Sequence, residues 1–200
     1  MTALRPAVAF AALGSVWAVA QTAPKIENAR LETRAVQGSL DSQFRGIVAS
    51  AAQPAWIGYT TAAVATGDRQ MCGTVMLEGA TQFVVLYRAS GGQVEKIRAY
   101  AADCSFDAGG LPLYWLTGVD GAESAALLAS LMPAGDSKEE RNLANSALSV
   151  IARHRDGVPV LIDIARHSRN TQTRKQAFFR LVQSKDPRAQ RFFEEVLQTR

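Results

Sequence analysis

Apolar residues recur three and four apart between Ala147 and Leu197, whereas from Gln70 to Ala101 they fall in short runs of strand character. In the helical stretch, Ala177, Phe178, Leu181 and Val182 stand at i, i+1, i+4 and i+5 and predict a helix that buries one stripe. After a break at Ser184 to Pro187, Ala189, Phe192, Phe193, Val196 and Leu197 recur at i, i+3, i+4, i+7 and i+8, which predicts a second helix packed on the first. Asp186 stands where an N-cap carboxylate accepts the free amide hydrogens of a helix start. Pro187 takes the first helical position, where its missing N–H costs nothing. An earlier stretch has the same order: Ala147 to Ala152 leads to Asp156-Gly157-Val158-Pro159, so that Asp156 and Pro159 open a comparable helix. The offset between the copies is about 30 residues, the period of stacked helix-pair repeats.

Upstream, Ser39 can cap a helix in which Leu40, Phe44, Ile47 and Val48 share a face, and Gln53-Pro54 stops it. Cys72 to Leu77, Gln82 to Arg88 and Val94 to Tyr100 read as three strands, the last two joined at Gly91-Gly92, which tolerate the positive φ of a tight hairpin. Pairing about that turn sets Leu86 opposite Ile97 and Val84 opposite Ala99 on one face. Tyr87 then meets Lys96, Val85 meets Arg98 and Phe83 meets Tyr100 on a wetter face. Asp120 opens a helix containing Leu127, Leu128 and Leu131, and Pro133 to Glu140 reads as a linker or exposed loop. Gln21 to Gly38, polar with scattered charges, reads as a flexible arm or frayed helix.

The first residues change where this fold is expected to work. Positive charge within Met1 to Arg5, an apolar run of 14 from Pro6 to Val19 and the small residues Ala18-Val19-Ala20 form the three-part pattern of a secretory signal peptide cleaved before Gln21. An anchor helix is the rival reading, but the run falls short of the roughly 20 residues that span a bilayer. A periplasmic or secreted protein is therefore expected, with no transmembrane segment in the mature chain. Cys72 and Cys104 are the only cysteines, and an oxidising compartment favours their disulfide over two inert thiols. In a plain meander the two would lie at opposite ends of the sheet. A bridge then requires the Asp103 to Gly110 loop to fold back, or a strand order that is not sequential. Charge is also uneven: Arg141 to Arg200 carries twelve Lys/Arg against five Asp/Glu, whereas Gln21 to Glu140 carries nine against thirteen. The split suits an anionic partner or attraction between the halves.

Asp186-Pro187-Arg188-Ala189, with Arg174 near the start of the preceding helix and the Ala/Leu spacing over about 145 to 198, resembles bacterial HEAT repeats of the short type. With the N-terminal features, the chain resembles secreted or periplasmic HEAT-repeat domain proteins of bacteria, a resemblance that implies a protein-interaction scaffold. Thr171-Gln172-Thr173-Arg174 departs from the family pattern in lacking the aspartate and valine usual before the arginine. Two clear copies are fewer than a free-standing solenoid needs, so the array is expected to lean on the preceding domain or on a second subunit. The expected class is α+β: a signal peptide over 1–20, a flexible arm over 21–38, an α+β domain with antiparallel strands over 39–120, and a short HEAT-like α-solenoid over 121–200.

Catalytic chemistry finds little footing in these residues. His154 and His167 lie near predicted helix ends beside arginines, where a solvated or capping histidine is the ordinary case. Asp103 and Asp107 match no cation-binding loop, and no G-x-S-x-G, H-E-x-x-H or phosphate-binding glycine loop occurs. Trp56, Tyr59, Tyr114, Trp115 and Leu116 read as core or packing surface. No catalytic residue, metal ligand or cofactor is assigned. The expected function is non-catalytic protein binding through the repeat surface, with Arg166, Arg169, Arg174, Lys175, Arg180 and Arg188 as partner-binding residues. The alternative is a binder of an anionic polymer, lipid head group or acidic protein through the same basic half, to which Lys185 and Arg191 also belong. Nucleic acid is not expected in an exported protein, and the short array leaves room for a homo-oligomer.

Overall fold

The computed structural model describes residues 24–64, 69–72, 74–76 and 81–198. Met1 to Ala20, where the signal peptide is predicted, lies outside the described residues.

Local chemistry accounts for the helix starts. In α1 (Leu40–Ser50) the Ser39 side chain accepts from the Ser42 amide at 3.1 Å, and Leu40, Phe44, Ile47 and Val48 form the buried stripe that the spacing predicts. In α2 (Gly121–Ser130) Asp120 accepts from the Glu123 amide at 3.0 Å. The third helix, α3 (Lys138–Ile151), opens with a reciprocal capping box between Ser137 and Glu140. Three helices follow: α4 (Gly157–His167), α5 (Thr171–Val182) and α6 (Pro187–Gln198).

Among the described residues nine strands accompany them. β3 (Ala55–Ala62), β6 (Gln82–Ser90) and β7 (Gln93–Ala101) pair antiparallel, while β2 (Arg30–Ala35) and β9 (Pro112–Thr117) add parallel to give the order β2-β9-β3-β6-β7. Two short pairs stand apart: β1 (Lys25–Glu27) with β8 (Ser105–Asp107), and β4 (Arg69–Met71) with β5 (Thr74–Met76). Residues 25–35, expected in the flexible arm, thus supply two strands. The edge strand β2 is almost wholly exposed and carries no apolar alternation. It is held to β9 by its backbone ladder and by the Arg34 guanidinium, 4.7 Å from the Tyr114 ring centroid.

The β6–β7 register differs from the expected one by a residue over most of its length. Ser90 pairs with Gln93 across Gly91-Gly92, whose φ of 56° and 75° suit the tight turn, but an irregularity between Arg88 and Ala89 shifts everything beyond it. Tyr87 therefore faces Ile97 and Val85 faces Ala99, and this pairing joins the main core instead of forming a wetter face. Val84 meets Tyr100 and Leu86 meets Arg98 on the opposite side. One extra residue in one strand moves every later side chain to the other face.

Each face of the sheet has its own core. Ile57, Tyr59, Val85, Tyr87, Ile97 and Leu116 pack under the helices, and the same buried cluster continues through Leu127, Leu148 and Leu161 to Leu181 and Phe192. The opposite face gathers Val84, Leu86, Leu113 and Trp115 against Ile26, Trp56 and Phe106. Gly58 makes that second core possible, since a Cβ there would stand 2.6 Å from Leu86 and 2.9 Å from the Trp115 ring.

The expected α-solenoid is corrected by this arrangement. Among the described residues the fold is α+β, with six helices, a five-stranded mixed sheet and two-stranded pairs, and with α1 interleaved between strands. In a solenoid each helix pair meets only its neighbours. Here α2 and α3 lie against strands of the sheet, and α4 touches α2, α3, α5 and α6. The turn between α3 and α4 is itself tied to β3: the Arg155 amide donates to the Ala62 carbonyl at 3.1 Å, and the Val64 amide to that of Arg153 at 2.9 Å.

The two sequence copies also differ at their caps. Asp186 accepts from the Arg188 amide at 2.8 Å and Pro187 opens α6, as expected. Asp156 makes no side-chain cap bond, and Pro159 is the third residue of α4. A Cβ at Gly157 would lie 1.8 Å from the Ile151 carbonyl oxygen, so the turn that accepts proline in one copy demands glycine in the other.

Candidate functional site

Helices α5 and α6 are joined through aromatic rings. The Phe178 centroid lies 5.4 Å from that of Phe192 and 6.2 Å from that of Phe193. Asn170 fixes the start of α5 by accepting from the amides of Gln172 and Thr173, and it donates to the Gly135 carbonyl. Behind these contacts only part of each predicted stripe is covered: Ala177, Leu181, Ala189 and Phe192 are buried. Val182 is 67% exposed and Leu197 72%, although their spacing predicts the core. Phe179, off the stripe, is 54% exposed one turn before Val182 on the same face. With Val196, these make four of the seven exposed large hydrophobics among the described residues, so the apolar surface is concentrated on two helices.

Most of the predicted basic residues around this surface are occupied. The Arg166 guanidinium donates to Glu195 at 2.5 Å and lies over the Phe192 ring. Arg174 donates to the Ser168 carbonyl at 2.6 Å, and Arg180 to the Ser149 hydroxyl at 2.8 Å. Arg188 embraces Asp186 with both Nε and Nη2, an ion pair that holds the Asp186 carboxyl below its usual range. Of the six, Arg169 and Lys175 are exposed and make no side-chain hydrogen bond or ion pair with a described residue. Arg166, Arg180 and Arg188 thus act as braces between elements more than as a free electrostatic face.

Between α3 and α5 runs a polar hollow of about 360 Å³, lined by Arg141, Asn142, Asn145, Gln172 and Gln176 among others. Lys138, Glu140 and Thr173 also line it, so that amides, cations, a carboxylate and a hydroxyl share the hollow.

The histidines part company. His167 is exposed and paired with Asp163 at 2.8 Å. His154, expected at a solvated helix end, is wholly buried. Its Nδ1 accepts from the Asp156 amide at 3.2 Å, so the ring proton belongs on Nε2 and is donated to the Thr61 hydroxyl at 2.9 Å. Burial lowers its pKa, with Asp156 pulling the other way, and the Phe83 ring stands edge-on beside it. Both nitrogens are spent on the fold, and so are the hydroxyls of Tyr59, Tyr87 and Ser124, which form one sealed chain. Among the described residues no group of three or more His, Cys, Asp or Glu side chains converges as a metal site would need.

Cys72 and Cys104 are brought to bridging distance, their Cα atoms 5.3 Å apart. The geometric obstacle disappears because β4 and β5 leave the main sheet as a separate hairpin, while residues 102–111 fold back to pair β8 with β1. Asp107 anchors that return: it accepts from the Gly109 amide at 2.7 Å and the Asn28 side chain at 2.9 Å.

Among the described residues no helix is long and apolar enough to cross a membrane. The comparisons with family models, with curated proteins and with solved structures find no match to this chain, so its functional reading rests on the α5–α6 surface and its surroundings.

Proposed function

We propose that the chain is a non-catalytic protein-interaction scaffold of the secreted or cell-envelope fraction, holding its partner on the outer surface of α5 and α6. The exposure of Phe179, Val182, Val196 and Leu197 on α5 and α6 carries this reading, together with the exposed cations Arg169 and Lys175 in the same part of the chain, since apolar and charged side chains together make up protein interfaces. Covering Phe179 or Leu197 fully is worth about 1.5–3 kcal/mol apiece. The alternative, an anionic polymer or lipid head group, draws on the same net charge but finds Arg166, Arg174, Arg180 and Arg188 already engaged within the chain. An oxidising compartment is supported by the bridged cysteine pair and by the pattern of the first residues.

Affinity capture tests the reading. The tagged chain is incubated with extract of its own source beside the triple variant F179S/V182S/L197S, whose folding is checked by circular dichroism. A discrete protein that survives moderate salt on the parent and is lost from the variant is expected. Recovery of only assorted acidic material that washes off in salt overturns it in favour of an electrostatic binder.

A further inference from the structure

The second face of the sheet is not closed by its own core. A hollow of about 300 Å³, at the lower end of the range for small-molecule sites, lies between the sheet and the β1–β8 pair. Trp56, Leu113 and Trp115 form its floor, and Ile26, Phe106 and Tyr100 its walls, with the Tyr100 and Phe106 rings 5.2 Å apart. Trp115 is fixed against β3 because Gly58 leaves room for its ring. The Cys72–Cys104 bridge contributes to the lining and ties the β4–β5 hairpin to the returning loop. The hollow is open to solvent on one side and leaves Ile26, Trp56, Tyr100 and Phe106 only partly covered. Here strand pairing on two sides and a covalent bridge hold it open.

The polar groups at the edge narrow the choice of occupant. Asp107 and Ser105 line the hollow, and the Gly109 amide and Asn28 side chain hold the Asp107 carboxyl below its usual range. A fixed negative charge at the rim repels carboxylates such as fatty acids, and among the described residues no cationic side chain lines the hollow to offset it.

We propose that this hollow binds a small neutral aromatic or aliphatic molecule, about the size of a two-ring aromatic, between Trp56, Phe106 and Trp115. The site is separate from the α5–α6 surface and does not depend on the reading given to that surface.

The neutral dye N-phenyl-1-naphthylamine tests it on the full, oxidised chain, read by energy transfer from tryptophan. Saturable one-to-one binding with a Kd in the micromolar range is expected, with displacement by naphthalene and none by equimolar decanoate. Ser105→Trp fills the hollow from its exposed rim and should weaken binding at least tenfold, whereas F179S/V182S should leave it unchanged. Should Ser105→Trp fail to fold, Trp56→Phe gives the second readout, since a dye bound in the hollow loses a large part of its energy transfer with that indole. Non-saturable binding, displacement by decanoate as readily as by naphthalene, full affinity in a folded Ser105→Trp, transfer unchanged in Trp56→Phe, or loss of binding in F179S/V182S would each overturn the proposal.

Discussion

The hydroxyl of Tyr59 lies 2.6 Å from that of Tyr87, and the Ser124 hydroxyl donates to Tyr59 at 3.0 Å, so that a strand, its neighbour and α2 share one sealed relay of O–H groups. Tyr59 thus holds two hydrogen bonds, one accepted from Ser124 and one shared with Tyr87. Tyr59→Phe breaks both bonds and leaves buried hydroxyls unpaired, an expected loss of about 2–3 kcal/mol, while Tyr87→Phe breaks one bond and should cost about 1 kcal/mol. Urea unfolding of the two variants checks the order.

The same burial sets an alkaline limit. Desolvation pushes Tyr59 up to about 12 from the 10.0 of a free phenol, and raises Tyr87 as well. Between those values the unfolded chain has released protons that the folded chain retains, so stability is complete below pH 10 and falls as pH rises above it. Each such tyrosine contributes a slope approaching about 1.4 kcal/mol per pH unit. The urea midpoint measured from pH 9 to 11.5 should fall steadily, and less steeply in Tyr59→Phe.

His154 sets the acid limit by the opposite sign. Its pKa is lowered by burial, so below the ordinary 6.5 the unfolded chain takes up a proton that the folded chain refuses. Stability is retained above pH 6.5 and is lost as pH falls toward the depressed value, by up to about 1.4 kcal/mol per unit. Unfolding between pH 7.5 and 5 should show this slope in the parent, and His154→Gln should flatten it.

Two glycines should respond to alanine with opposite signs. Gly157→Ala drives a Cβ into the Ile151 backbone and should cost 3 kcal/mol or more, on the order of a severe core defect. Gly46 is exposed within α1 with nothing within 4 Å of an added Cβ, so Gly46→Ala should stabilise by about 0.5–1 kcal/mol. Thermal melts of the pair decide both.

Cys104→Ser removes a bridge between residues 32 apart, for which the chain-entropy model gives a loss of about 3–4 kcal/mol. The parent treated with reductant should match the variant in its urea midpoint, and the variant should no longer respond to reductant.

What the sequence reveals follows from how strongly each element is patterned. The helices of Leu40, Leu127 and Phe192 announce themselves through one buried face and a capping residue, and the Gly91-Gly92 turn through its φ requirement. The β2 strand is silent because an exposed edge strand needs no apolar alternation, and the β6–β7 register slips because a bulge leaves no compositional mark. The thirty-residue echo between Asp156 and Asp186 is real as sequence, but the shared turn chemistry does not survive: one copy is capped by its aspartate and the other is pinned to Ala62 and Val64 of the sheet end. As for the surface proposed to hold a partner, periodicity predicted the two helices that carry it. It could not tell that Val182, Val196 and Leu197 would stay uncovered, since exposure depends on which elements stop short of them.

β3 takes hydrogen-bond partners from β6, from β9 and, through its last residues, from Arg153 and Arg155. During synthesis one edge of β3 is paired by β6 some thirty residues later, but the other waits for chain made some fifty-five residues later and its end for chain some ninety residues on, so that the ladder of Ala55–Ala62 is incomplete in the interval. Pairings of such long sequence separation slow refolding relative to a helical stack built from local contacts. A nascent chain cut off before Arg153 would present an unfinished strand end, the kind of exposed edge that chaperones hold and that self-associates when they are scarce.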